Sequence, residues 1–279
     1  MRLKLVPKNT SWEFFARSKL WIGISIVLVV LSLLSFFIQS LNFGIDFRGG
    51  TSIRTESSEP IVVADYRSAL SSLDLGDITI SEVFDPNFAD DQNVAMIRIQ
   101  AQPGQEAATS TLVENSLQKL REVSEDIKFV SVESVGPKVS GELIKTAIIA
   151  VVLAISAVLF YIWIRFEWQF AVGAISALIH DVILTIGIFS ALQIKFDLAI
   201  IAAILTIVGY SLNDTVVVFD RVRENLRKFK KRSLVEVMNL SINETMSRTV
   251  MTSVTTLLAL ISLFILGGDV IRGFVFAMI

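Results

Sequence analysis

Leu20-Trp21-Ile22-Gly23-Ile24-Ser25-Ile26-Val27-Leu28-Val29-Val30-Leu31-Ser32-Leu33-Leu34-Ser35-Phe36-Phe37-Ile38 is a 19-residue apolar run relieved only by small residues. At about 1.5 Å per residue it covers a hydrocarbon core of roughly 30 Å, so it reads as a membrane helix. It outruns the apolar part of a cleavable signal peptide, usually about 7 to 15 residues. Gln39-Ser40-Leu41-Asn42 also lacks the small-x-small pattern of a cleavage site, so an uncleaved anchor is expected.

Four further runs, at Thr146 to Ile164, Phe170 to Leu192, Leu198 to Phe219 and Thr249 to Leu266, have the same character. Only five residues separate the second span from the third and the third from the fourth, which makes these helices antiparallel neighbours. A last apolar stretch, Ile271 to Ile279, would extend only about 14 Å as helix. It is expected to begin a sixth helix that is incomplete here, rather than a turn at the surface. The whole chain has 279 residues, 53% of them hydrophobic, and a mean hydropathy of +0.64, too apolar for one water-soluble core.

The formal charge of −2 hides an uneven distribution. Gly44 to Glu142 carries 17 acidic against 8 basic residues, and the remainder carries 10 against 17. The basic residues that flank the spans are Arg2, Lys4, Lys8, Arg17, Lys19, Arg165 and the run Arg221, Arg223, Arg227, Lys228, Lys230, Lys231, Arg232. All fall on one side of the membrane, which the positive-inside rule makes the cytoplasm. The acidic stretch is then outside. The basic run reads as a topology signal in contact with anionic lipid. Because the chain as a whole is acidic, nucleic acid is not an expected partner.

Between the first two spans the hydrophobic period shortens. It predicts a strand at Thr51 to Glu56, a helix at Ile61 to Leu73 and strands at Ile78 to Phe84 and Val94 to Ala101. A helix at Glu106 to Glu125 and a strand at Lys128 to Val135 follow. Pro86 to Asp91 supplies the hairpin loop, and Pro103-Gly104 the entry to the long helix. The order βαββαβ is that of a split ferredoxin-like α+β domain. Asp90-Asp91 is read as a solvated pair, not a metal site. With no cysteine and a single histidine, thiolate sites, disulfides, histidine clusters and a catalytic triad are excluded. No catalytic residue, metal or cofactor is therefore expected, and the chain is not read as an enzyme.

Three places exceed what folding alone requires. Phe43-Gly44-Ile45-Asp46-Phe47-Arg48-Gly49-Gly50-Thr51 follows the first span directly and lacks the Gly-Lys-Ser/Thr ending of a phosphate loop. It reads as a tight, backbone-strained junction to the outer domain. His180-Asp181 lies in the middle of the third span, where an ionisable pair must face the bundle interior and have partners. Packing and functional roles both fit it. On the fourth span Tyr210, Asn213 and Asp214 share a face with Thr206 and Val217. Asp214 and, on the fifth span, Arg248 both lie about 26 to 28 Å from the outer surface, so the two can meet. Thr249, Thr252, Ser253, Thr255 and Thr256 could hold water beside them. Desolvation favours a neutral carboxyl and a nearby guanidinium favours a carboxylate. Moving the pair apart or together then changes whether Asp214 holds a proton. A static ion pair is the bland alternative.

The run Val208-Gly209-Tyr210-Ser211-Leu212-Asn213-Asp214-Thr215-Val216-Val217-Val218-Phe219-Asp220-Arg221-Val222-Arg223-Glu224-Asn225 resembles the fourth-helix signature of SecF proteins in the SecD/SecF family of bacterial export proteins. The Gly44 to Thr51 junction, Ser134-Val135-Gly136-Pro137, His180-Asp181 and Arg248-Thr249 are similar to the same family's other motifs. The resemblance implies a six-helix bundle of the RND transporter type that pairs with SecD into a pseudo-symmetric twelve-helix unit. It implies action beside the SecYEG channel on translocating unfolded polypeptide, at the expense of the proton gradient, in the bacterial inner membrane. YajC and membrane lipids join the expected partners, and protons serve as the coupling ion. The proton-coupling positions carry over to Asp214 and Arg248, with Asn213, Tyr210, His180, Asp181 and Thr252 in support.

The resulting division is 1–42 as cytoplasmic N-terminus and first helix and 43–142 as periplasmic domain. The rest, 143–279, is the transmembrane bundle with a basic cytoplasmic loop at 220–247. Protonation of Asp214 would bias two arrangements of the bundle, and the junction of Gly44, Asp46, Arg48, Gly49 and Gly50 would transmit the change. A proton-coupled exporter of small molecules or lipids and a non-catalytic scaffold for SecD and the channel are the alternatives.

Overall fold

Apolar runs of this length close all their backbone hydrogen bonds internally only as helices, and helices dominate the computed structural model of the chain. It describes residues 10–73, 75, 78–83, 88–89, 91–101 and 110–279. In chain order the elements are α1 (Ser18–Gln39), β1 (Asn42–Phe43), α2 (Ile45–Arg48), β2 (Gly50–Ser57), α3 (Val63–Leu70), β3 (Ile78–Val83), β4 (Asn93–Gln100) and α4 (Ser110–Arg121). They continue with β5 (Lys128–Val135), α5 (Pro137–Arg165), α6 (Trp168–Leu192), β6 (Lys195–Phe196), α7 (Leu198–Lys228), α8 (Leu234–Leu266) and α9 (Asp269–Met278). Among the described residues, five helices are long and apolar enough to cross a membrane. The expected loop residues Pro86, Asn87 and Asp90, the Pro103-Gly104 entry, Phe84 and the start of the predicted helix at Glu106 lie outside the described residues.

The chain divides into two units. The helical unit takes in residues to Asn42, Val151–Ile194 and Ala199–Ile279; the α/β unit comprises Phe43–Ala150 and Lys195–Leu198. The connector between α6 and α7 therefore belongs to the α/β unit, which the sequence reading did not anticipate.

In the α/β unit a four-stranded antiparallel sheet has the order β3-β4-β2-β5. Alternation along the strands sends Ile53 of β2, Ile80 of β3 and Ala95, Ile97 and Ile99 of β4 into one core. Tyr66 and Leu70 of α3 and Leu120 of α4 fill the same core, so both helices cover one face. Near the sheet's end the Asp126 carboxylate accepts from Ser124 Oγ at 2.5 Å, Ser58 N at 2.5 Å and Ser57 Oγ at 3.0 Å. These donors, Ser124 first, hold its carboxyl well below the usual carboxylate range.

The helical unit is organised by small residues and by polar ends. Gly187 of α6 lies so close to Ser32 of α1 that a Cβ there would run into its side chain, and Ser32 Cα would stand 2.6 Å away. Ser35 Oγ bonds Ser190 Oγ at 3.1 Å along the same seam, as small residues at membrane helix contacts permit. Ahead of α1, residues 10–15 are strapped to α8. Asn239 Oδ1 accepts from Phe14 N at 2.9 Å, and Asn243 Oδ1 from Trp12 N at 2.9 Å.

The helices extend beyond the apolar runs. The span 220–247, expected to be a loop, is helical except for Phe229 to Ser233. Charged side chains at helical spacing support the winding, with Arg223 on Asp220 at 2.6 Å and Arg221 on Glu224 at 2.6 Å. Ser233 caps α8 by accepting from Glu236 N at 3.3 Å. After Gly268, at φ +71°, α9 returns onto the unit, with Val275 buried and Phe276 against Phe189 at 5.8 Å between ring centroids.

Candidate functional site

The junction is built from backbone that only glycine tolerates. Gly49 has φ 72° and ψ 167°, and Gly50 has φ 122°. A Cβ on Gly50 would collide with the Ile99 carbonyl oxygen. Between them and β1 the chain winds into α2, an element the sequence reading missed because four residues show no periodicity. Gly44 N donates to Phe196 O at 2.8 Å. A Cβ on Gly44 would stand 3.0 Å from Lys195 Cε and 3.3 Å from Asp197 Cβ, so a glycine lets β6 come close. Phe43, Phe47 and Phe196 pack around that contact.

Asp46 Oδ2 accepts from Leu198 N, the first residue of α7, at 3.1 Å. The carboxylate thus sits at the positive end of the helix that carries Asp214. Ser140 Oγ donates to Ile45 O at 3.3 Å. Arg48 is exposed. Desolvation holds the guanidinium of nearby Arg98 below its usual range, with Asp197 opposing and Arg48 adding to the effect.

In the helical unit Asp214 is half-buried on α7, and its Oδ1 is buried without a hydrogen-bond partner. Tyr210 and Asn213 are exposed. Arg248 on α8 is exposed too, and makes no ion pair or hydrogen bond with the described residues. The structure therefore does not join the pair expected to meet. Two of the nearby hydroxyls are turned back onto their own helix. Thr252 Oγ1 donates to Thr249 O at 2.9 Å, and Thr255 Oγ1 to Met251 O at 2.8 Å. Thr249 Oγ1 is buried and unpartnered.

His180 and Asp181 are joined to α7 instead. His180 Nδ1 lies 3.0 Å from Asp181 Oδ1, and Ser211 Oγ donates to Asp181 Oδ2 at 2.8 Å. Asp181, Thr185, Tyr210 and Ser211 line a cavity of about 510 Å³ together with Phe189 and Phe276. Ser211 was passed over in the sequence because serine in a membrane helix ordinarily bonds its own backbone. Its place three residues before Asp214 was the available signal.

Toward the other end of α7 the basic residues are engaged internally. Arg165 Nη2 meets Asp220 Oδ2 at 2.8 Å, and Arg221 Nε meets Glu244 Oε2 at 2.6 Å. Buried Asn225 donates to Ser241 Oγ at 3.0 Å and to Glu244 Oε2 at 2.7 Å, tying α7 to α8. Arg165, Arg221 and Arg223 therefore hold the bundle together in addition to any effect on orientation.

Two family models match the chain. Protein export membrane protein SecD/SecF, C-terminal, covers residues 115–279, and the SecD/SecF GG Motif covers 34–61. The protein translocase subunit SecF of Cereibacter sphaeroides is 58% identical over 276 residues, 99% of this chain and 85% of that protein. That of Rhodobacter capsulatus is 57% identical over 284 residues, 100% and 85% respectively. Among solved structures, SecDF from Thermus, described as a translocon-associated membrane protein, aligns with a TM-score of 0.84 at 32% identity over 100% of this chain. SecDF in a super-membrane-facing form aligns over 99% with a TM-score of 0.68 at 33% identity. This chain spans 37% and 36% of those two SecDF chains.

Proposed function

The chain belongs to the SecD/SecF family and is a SecF-type protein translocase subunit, a multi-pass membrane protein, and from that premise we propose that it couples proton movement to late-stage polypeptide export. The observation that carries the proposal is Asp214: an ionisable side chain in a membrane-spanning helix, one oxygen buried and unpartnered, with Arg248 unpaired on the neighbouring span. A carboxylate in that setting must find a cation or take up a proton. Alternation between the two is a two-state switch. One charge crossing the field gains about 2.3 kcal/mol per 100 mV, enough to shift a two-state equilibrium by about fiftyfold.

Further parts of the reading follow from the same premise. The strand order β3-β4-β2-β5, with both helices on one face, supports a ferredoxin-like domain. Charge asymmetry supports a cytoplasmic N-terminus and a periplasmic α/β unit in the inner membrane. The bundle is of the RND type and works with SecD beside SecYEG, with YajC, lipids and the unfolded polypeptide as further partners. Asp46, which holds the first amide of α7, is the link through which helix movement reaches the junction.

The test exploits the absence of cysteine, since introduced labels report without background. Spin labels on β5 and on α8 should show distance populations that change when a proton gradient is applied. Identical populations with and without the gradient would sink the proposal.

A further inference from the structure

A proton route to Asp214, which rests on the coupling function above, lies in the facing surfaces of α6 and α7. Within α6 and α7, two buried side-chain polar atoms of the described residues have no partner: His180 Nε2 and Asp214 Oδ1. They are chemically complementary. With Nδ1–H donating to Asp181 Oδ1 at 3.0 Å, the imidazole keeps a free lone pair on Nε2. The second oxygen of Asp181 is occupied by the Ser211 hydroxyl at 2.8 Å, so the carboxylate is held from both helices.

Register places the two orphaned atoms on the same side of that contact. The helices run antiparallel, with Asp181 against Ser211. Eight residues earlier on α6, a Cβ on Gly173 would stand 3.5 Å from the Phe219 ring, eight residues later on α7. Moving back along α6 therefore moves forward along α7. His180, one step back from Asp181, lies on the Asp214 side of Ser211. Asp181 and Ser211 also line the cavity of about 510 Å³, a mostly apolar space in which Asp181, Thr185, Tyr210 and Ser211 cluster as polar partners for water. Asp214 is not among its lining residues.

We propose that His180, Asp181 and Ser211 form the relay that exchanges the Asp214 proton with water in this cavity. The two orphaned atoms do not bond each other in the structure, so the Asp214 carboxyl passes its proton through one bridging water to Nε2, leaving a carboxylate and an imidazolium held by Asp181. The imidazolium passes its Nδ1 proton to Asp181 Oδ1, and Asp181 releases a proton to cavity water. Uptake is the reverse, and each step moves one proton. The titratable groups on the elements packed against α6 are Tyr210 and Asp214 on α7, with Asp220, Arg221, Arg223, Glu224, Arg227 and Lys228 toward its end, Lys138, Glu142, Lys145, Tyr161 and Arg165 on α5, and Arg272 on α9; α1 has none from Leu20 to Ile38. Arg165 is committed to Asp220 at the far end of α7.

His180 is the only histidine, so isotope labelling of histidine in the full chain in lipid nanodiscs gives one imidazole signal. That signal should move in Asp214→Asn, as replacing the carboxyl that exchanges a proton with the ring requires. His180→Gln should slow gradient-driven export at least tenfold, and Ser211→Ala, which frees one oxygen of Asp181, should slow it less and shift its pH profile. If Asp214→Asn stops export while the imidazole signal is unmoved and His180→Gln exports normally between about pH 5 and 8, the relay is wrong and the coupling reading survives. If Asp214→Asn exports with full gradient dependence, both are wrong. Uniform loss of export in His180→Gln and Ser211→Ala, with no change of pH profile, would mean a structural role and would also overturn the relay.

Discussion

Replacing Gly50 by alanine separates two sources of strain at the junction. The residue has φ 122°, a conformation that costs a non-glycine residue about 1–3 kcal/mol. The new Cβ also meets the Ile99 carbonyl oxygen, with Ala101 N 3.0 Å and Gln100 Cα 3.2 Å away, so no flexible side chain can yield. β2 and β4 must then part where Gly50 pairs with Gln100, losing about one further ladder bond worth roughly 1 kcal/mol. The sum is about 2–4 kcal/mol, or a fall of roughly 30-fold to 1000-fold in protection of core amides. Hydrogen exchange at Ile53, Ile97 and Ile99 in the full chain reads this directly. Gly49→Ala, at φ 72° and ψ 167°, should cost the strain alone, about 1–3 kcal/mol. Gly209→Ala, in open space within α7, should leave the sheet untouched. Protection in Gly50→Ala within twofold of the parent would refute the steric argument.

Gly187→Ala should force α1 away from α6, because Ser32 backbone blocks the new methyl, and lower the thermal midpoint in detergent by an amount equivalent to about 1–3 kcal/mol. An unchanged midpoint would contradict the close approach. Asn239→Ala should release the strap before α1, seen as amide exchange at Phe14 and Phe15 faster by about fivefold or more, with the rest of α8 unaffected. The Asp126 carboxyl is depressed by its hydroxyl and amide donors, so its stabilisation is complete above the unfolded value of about 3.9 and is lost as pH falls. The stability difference between the parent and Asp126→Asn should be constant above about pH 5 and shrink below it. A difference that grows on acidification would reverse the assignment.

Much of the fold was legible because lipid imposes a single rule. A run such as Leu20 to Ile38 has no alternative to a helix, and Ile53, Ile97 and Ile99 alternate as a half-buried sheet must. Helix ends were not legible, since hydropathy marks only the part inside the hydrocarbon. Asn225, Ser241 and Glu244 continue α7 and α8 through polar contacts that carry no apolar period. Asp214 was visible as a charge where charges are expensive. The Ser211 contact to Asp181, the Asp46 contact to Leu198 and the Gly187 approach to Ser32 each depend on register between segments distant in sequence, which composition cannot supply. The expected pairing of Asp214 with Arg248 rested on equal depth alone. Equal depth leaves open which way each side chain points around its helix, and here the two are unpaired.

The central claim is that Asp214 couples protons to export. It is tested most directly by the rate of export of a secretory protein in vesicles carrying Asp214→Asn, with the proton gradient on or off and assembly checked by SecD association. The account predicts that the gradient-dependent part of export falls to that of vesicles lacking the chain while assembly is intact. Export that keeps its full gradient dependence in the variant would contradict it and leave Asp214 a structural residue.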